Sequence, residues 1–262
     1  MNRTAEISVN NLSVTYNNAR LALYDANCQI QPEKITGLVG PNGGGKSTLF
    51  KSIMGFLHPN QGKISIAGLT VEKAQKRQLM AYVPQADEVD WNFPVSVWDV
   101  VMMGRYGYMN VLRIPSSQDR HRVKESLKRV GMSEMHQRQI GELSGGQKKR
   151  VFLARALAQD SPIILLDEPF TGIDVKTEKR IIDLLLQLRC EGHTILVSTH
   201  DLASISTFCD HVILLNQTIL ASGTLEATFT KDNLALTFGG LPSINRNQIS
   251  QDWRIQNSRL NH

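Results

Sequence analysis

Gly40-Pro41-Asn42-Gly43-Gly44-Gly45-Lys46-Ser47 is the stretch on which the fold turns. It fits the phosphate-loop pattern G-x-x-x-x-G-K-[ST], and its flanks suit one. Residues 35–39 form a short apolar run that reads as a buried strand feeding Gly40. Beyond the loop, Leu49, Phe50, Ile53, Met54 and Leu57 recur at helical spacing and predict an amphipathic helix. Glycines without a Cβ let backbone N–H groups converge on an anion, and the helix N-terminus adds partial positive charge. In a loop of this kind Lys46 reaches the β- and γ-phosphates of a nucleotide, the Ser47 hydroxyl ligates Mg2+ and Thr48 hydrogen-bonds the α-phosphate.

Working outward, residues 7–16, 22–30 and 62–68 read as strands, the last after a turn at Pro59-Asn60-Gln61-Gly62. They predict a small antiparallel sheet. Residues 86–160 change character: aromatics come first, then a charged amphipathic helix over about 119–131, then a loop from 141 entering another helix. From 161 the chain alternates between a buried strand at 163–166, a helix at 176–189, a strand at 194–198 and a short helix at 202–209. A hairpin turn at Asn216-Gln217 follows, between runs at 212–215 and 218–222. Such alternation predicts a parallel sheet with right-handed crossovers. The expected fold class is α/β: a P-loop NTPase core with a parallel sheet, a small N-terminal antiparallel β subdomain and an inserted helical subdomain. The expected domain runs over 1–240, with its core at 1–85 and 161–240 and the helical subdomain at 86–160. A polar tail of loose order follows at 241–262. No internal repeat is present, so a single unit is expected.

Bulk properties exclude several classes. Of 262 residues, 41% are hydrophobic and 20% charged, which argues against a disordered chain. A net charge of +5 without a long Lys/Arg block is compatible with a solvated surface as well as with an anionic partner. Cys28, Cys190 and Cys209 are far apart and form no framework, which points to a reducing compartment. The seven histidines show no zinc-type spacing. The N-terminus does not read as a secretory signal, and no apolar run is long enough to span a bilayer. A membrane role would need another subunit to supply the membrane part.

Two further motifs carry chemistry. In Ile163-Ile164-Leu165-Leu166-Asp167-Glu168 the apolar run delivers Asp167 to the carboxyl end of a parallel strand, where open α/β sheets bind ligands. Asp167 suits Mg2+, largely through water, and Glu168 is placed to orient or deprotonate an attacking water. In Leu143-Ser144-Gly145-Gly146-Gln147, Ser144 and Gln147 read locally as a helix capping box. The two glycines at that helix start also expose N–H groups to a phosphate.

That pentapeptide resembles the signature motif of ATP-binding cassette ATPases, and its spacing ahead of Asp167 resembles theirs. The resemblance covers residues 7–225 and implies roles one position at a time. Tyr16 sits where these ATPases stack a ring on adenine. Gln85 resembles the glutamine that senses Mg2+ and the attacking water, Asp174 a residue of the loop crossing the dimer interface, and His200 the histidine contacting the γ-phosphate. Gly44 stands where Ser or Ala is common, and Thr171-Gly172 replaces a frequent Ser-Ala. The implied ATP site comprises Tyr16, the loop Gly40, Pro41, Asn42, Gly43, Gly44, Gly45, Lys46 and Ser47 with Thr48, and Ser144, Gly145, Gly146 and Gln147 of a second chain. Glu168, His200 and Gln85 are the catalytic set, and Ser47, Gln85 and Asp167 serve Mg2+. The resemblance implies a homodimer of cassettes clamped around ATP.

Nucleic-acid ATPases that share the signature insert a long coiled coil between the two loops. Here the stretch from Lys46 to Ser144 is short and lacks sustained heptads. A transporter motor is therefore favoured, with no direct nucleic-acid partner. The run 85–101, with Trp91, Phe93 and Trp98, and its continuation Met102-Met103-Gly104-Arg105-Tyr106-Gly107 resemble importers for manganese, zinc or chelated iron, most of all manganese importers of cyanobacteria. The aromatics of this run are expected to fill the core of the helical subdomain, to touch a permease, or to do both. The resemblance implies permease subunits in the membrane, a solute-binding protein reached through them, and a place on the cytoplasmic face of the plasma (inner) membrane.

Overall fold

The computed structural model describes residues 5–16, 21–85 and 93–239. Its strands are β1 (Ile7–Thr15), β2 (Leu21–Ile30), β3 (Ile35–Val39), β4 (Gln61–Ile66), β5 (Leu69–Thr70), β6 (Met80–Val83), β7 (Ile163–Asp167), β8 (Thr194–Thr199), β9 (His211–Asn216) and β10 (Thr218–Thr224). Its α-helices are α1 (Lys46–Ile53), α2 (Val71–Lys76), α3 (Val97–Met103), α4 (Ser117–Arg129), α5 (Gly145–Ala158), α6 (Val175–Cys190), α7 (Leu202–Phe208), α8 (Leu225–Thr228) and α9 (Lys231–Phe238).

The strands form two sheets. One is antiparallel with order β2-β1-β4-β5; the other has order β10-β9-β3-β8-β7-β6 and is parallel except for the β9–β10 hairpin. Side chains alternate across a strand, and the parallel sheet uses both faces. Ile164, Leu166, Ile195, Val197, Val212 and Leu214 join the core shared with α5, α6 and α7. Their neighbours Ile163, Leu165, Leu196, Ile213 and Leu215 face the opposite core, filled by Leu49, Phe50 and Ile53 of α1 and by the antiparallel sheet. Burial on both sides is why these strands read as unbroken apolar runs. It also pins α1, and the loop before it, between two sheets.

The helices of the 93–160 region start at chemically built caps. Ser96 with Asp99, Ser116 with Asp119 and Ser144 with Gln147 each form a reciprocal capping box, contributing about 1 kcal/mol apiece. Arg105 binds the buried Asp119 at 2.9 Å and so ties the end of α3 to the start of α4. Trp98 packs against the large core, whereas Phe93 is exposed; Trp91 and the tail 241–262 lie outside the described residues. Among the described residues no helix is long and apolar enough to cross a membrane.

Three local expectations differ. The helix after the loop stops at Ile53, before Leu57, because Gly55 takes a left-handed φ of 73°. The strand expected over 62–68 ends at Ile66, because Ala67 and Gly68 turn the chain into β5. The hairpin turn is tighter than two residues: Asn216 pairs with Thr218, leaving Gln217 alone at φ 61°. Gln217 N donates to Gly44 O at 2.8 Å, so the phosphate loop itself holds this turn.

Candidate functional site

The loop 40–47 leaves β3 and enters α1 at the carboxyl edge of the parallel sheet, and close packing dictates its glycines. A Cβ on Gly40 would lie 1.9 Å from the Leu215 carbonyl oxygen, and one on Gly45 2.8 Å from the Ala22 carbonyl oxygen. Gly45 also has φ 102°, and Gly43 φ 77°. At Gly44 a Cβ would meet the Pro41 carbonyl oxygen at 3.0 Å, which accounts for glycine at a place where small side chains occur in similar loops. Gly40→Ala should therefore destabilise the fold by about 2–3 kcal/mol, as overpacking against backbone does. Urea unfolding measures this; an unchanged midpoint would contradict the packing.

Lys46 is buried, and its Nζ donates to Gly40 O at 2.9 Å and Pro41 O at 3.2 Å. Burial lowers its pKa, while the nearby carboxylates of Glu168 and Asp167 act in the opposite sense. The ammonium thus lies within electrostatic reach of two acids, with two main-chain carbonyls holding it in place.

Asp167 ends β7, with Ser198 of β8 beside it in register. Ser198 Oγ donates to Asp167 Oδ1 at 2.5 Å and accepts from Glu168 N at 2.9 Å. One hydroxyl therefore holds the Asp167 carboxylate and the Glu168 main chain. Glu168 adopts φ 49°, a left-handed conformation that costs a non-glycine residue roughly 1–3 kcal/mol. Lys149 Nζ donates to its carbonyl at 2.9 Å. Its carboxylate Oε2 accepts from Thr171 Oγ1 at 3.2 Å, meets Gln85 Nε2 at 3.5 Å and lies 3.7 Å from His200 Nδ1.

Tyr16, Lys46, Gln85, Glu168 and His200 line one cleft of about 830 Å³. Pro41, Asn42, Gly43, Gly45, Ser47 and Thr48 line it too, and the Tyr16 hydroxyl lies 3.2 Å from Thr48 Oγ1. Gly44 and Asp167 do not line it. Ser144 caps α5 and does not line the cleft, and Gly145 and Gly146 pack toward Gly172, Ile173 and Thr177 of the same chain. Asp174 caps α6, accepting from Thr177 Oγ1 at 2.7 Å and Thr177 N at 3.0 Å; the hydroxyl bond and the amide bond hold its carboxyl below the usual range.

Ala22, Thr171 and Phe238 also line the cleft, and none of them belongs to the sequence-derived set. Phe238 ends α9, which is anchored where Asn216 Nδ2 donates to Thr237 O at 3.0 Å. Thr171 carried a signal, since it lies three residues from Glu168. Phe238 carried none, because only the folded chain brings it there.

The residues suit a magnesium nucleotide. Ser47, Gln85 and Asp167 offer hard oxygen donors of the kind Mg2+ takes, beside a phosphate-sized loop with a resident ammonium. Among the described residues no three His, Cys, Asp or Glu side chains gather as a metal cluster.

Residues 23–171 match the ABC transporter family. The chain is 74% identical over 250 residues to the manganese transport system ATP-binding protein MntA of Synechocystis sp., covering 95% of this chain and 96% of that one. It is 61% identical over 236 residues to the chelated iron transport system membrane protein YfeB of Yersinia pestis, covering 90% and 80%. Among solved structures, a metal-chelate type ABC transporter in an inward-facing conformation superposes with a TM-score of 0.78 at 29% identity, covering 89% of this chain and 88% of that chain. A cassette matched at this length and identity belongs to the ABC transporter family, as one of its ATP-binding, ATP-hydrolysing subunits.

Proposed function

We propose that this chain is the motor of a membrane importer for a transition metal ion, manganese first. The observation that carries the metal is the 74% identity, over nearly the whole of both chains, to a manganese transport subunit. The 61% identity to a chelated-iron subunit favours iron as a second reading. Selectivity among metals arises where ligands meet the ion, in a permease and solute-binding protein and not on this chain. We place the chain on the cytoplasmic face of the plasma (inner) membrane, gripping permease subunits through the helical region. The division into a core (1–85 and 161–240), a helical subdomain (86–160) and a tail (241–262) belongs to the same proposal.

In this reading the loop N–H groups and Lys46 hold the β- and γ-phosphates, Thr48 the α-phosphate, and Tyr16 the adenine. Ser47, Gln85 and Asp167 would hold Mg2+, which neutralises phosphate charge when bound. Glu168 orients and deprotonates the attacking water; its distances to Gln85 and His200 support a shared task. His200 stabilises charge on the γ-phosphate. Ser144, Gly145, Gly146 and Gln147 do not line this chain's own cleft and would present a helix N-terminus to the nucleotide of a second copy, with Asp174 in the loop between the sites. ATP closes the dimer because it binds the closed form more tightly than the open one.

Uptake of radioactive manganese, zinc and iron by a deletion strain tests the function. Manganese uptake should fall to the level of passive entry, and iron or zinc uptake much less. Normal uptake of all three would refute an importer.

A further inference from the structure

Lys149 lies one turn into α5, the helix that starts at the signature glycines. Its Nζ donates to Glu168 O at 2.9 Å and also to Thr171 O. These carbonyls are the two ends of the turn inside which Thr171 Oγ1 donates to the Glu168 carboxylate. Glu168 is thus tied at three points. Its N–H donates to Ser198, its carbonyl accepts from Lys149 and from Thr171 N, and its carboxylate accepts from Thr171 Oγ1 and Gln85. Only the Lys149 tie comes from the signature helix. The first turn of that helix also lies against Ile173 and the first turn of α6: a Cβ on Gly146 would lie 3.3 Å from Thr177 Cγ2 and 3.6 Å from Ile173 Cγ2.

We propose that Lys149 is a positioning residue that couples the signature helix to Glu168 of the same chain. The proposal rests on the head-to-tail reading above, in which the signature serves the other copy's nucleotide. A helix turn is rigid over the roughly 6 Å from Gly145 to Lys149. A shift of the signature as it engages the second nucleotide moves the ammonium, and with it both carbonyls. Glu168 holds a left-handed backbone that needs such restraint. The water-activating carboxylate of one site is then set by occupancy of the other. An ammonium suits the task, because it offers three donors and no acceptor, and two carbonyls use two of them.

Lys149→Met keeps the stem and removes the donors; Lys149→Arg keeps donors on a stem of similar reach. Steady-state ATPase assays on the full chain should show kcat reduced roughly 10- to 100-fold in the methionine variant, the scale of a misplaced catalytic group. Its KM should stay within about twofold, since no ground-state contact to ATP is lost. Its Hill coefficient for ATP should fall from above 1 to 1, and the arginine variant should recover most of kcat. Lys149→Gln, with a shorter reach, should fall between and replaces the methionine variant if that one does not fold. A kcat within twofold of wild type in the methionine and glutamine variants would overturn the proposal. So would equal losses in the arginine and methionine variants, or a Hill coefficient unaltered by the substitution or already 1 in the wild type. Light scattering of Lys149→Met combined with Glu168→Gln separates this from the reading beneath it. A dimer with MgATP but undiminished kcat in the single variant sinks the coupling alone; no dimer in Glu168→Gln by itself sinks the clamp.

Discussion

Lys46→Ala should reduce ATP turnover to background, a loss of at least about 10³-fold, because charge stabilisation at the transferring phosphoryl group carries most of such catalysis. The ammonium is buried and held by Gly40 O and Pro41 O, so it needs no reorganisation to meet a phosphate. Burial lowers its pKa, and Glu168 and Asp167 offset that in part. Removing the cation leaves the acids facing triphosphate charge. Binding should weaken along with turnover, measured as the Kd of a fluorescent ATP analogue. Turnover within tenfold of wild type would overturn the phosphate-loop assignment.

Glu168→Gln should behave differently. The amide keeps the side chain's shape and can still accept from Thr171, but it cannot take a proton from water. The expected loss in kcat is about 10²–10⁴-fold, the range for a general base, with MgATP affinity unchanged. Single-turnover assays read the chemical step directly. Near-normal turnover would move the base to another group, with His200 the nearest candidate at 3.7 Å from the carboxylate.

Much of this site was legible in the chain, because local chemistry constrains it. The loop glycines are required by contacts as close as 1.9 Å, the Ser144 and Gln147 cap forms as its spacing predicts, and the two-faced burial of β7 and β8 is written in their unbroken apolar runs. What stayed hidden depends on tertiary proximity. Lys149 reads as one charge among three in a helix start, and only the folded chain shows its reach to Glu168. Phe238 reaches the cleft because its neighbour Thr237 in α9 accepts from Asn216, 21 residues earlier in the chain. The position of the Asn216-Gln217 turn is legible in the chain and its length is not, since Gly44 O holds it from outside the hairpin.

None of the signature residues 144–147 lines this chain's own cleft, and in the proposed clamp a second copy supplies them. The mass of Glu168→Gln in solution, measured by light scattering with and without saturating MgATP, tests that most directly. A monomer should double its mass when MgATP is added and return to monomer when the nucleotide is removed. A mass that stays monomeric at saturating MgATP would contradict it.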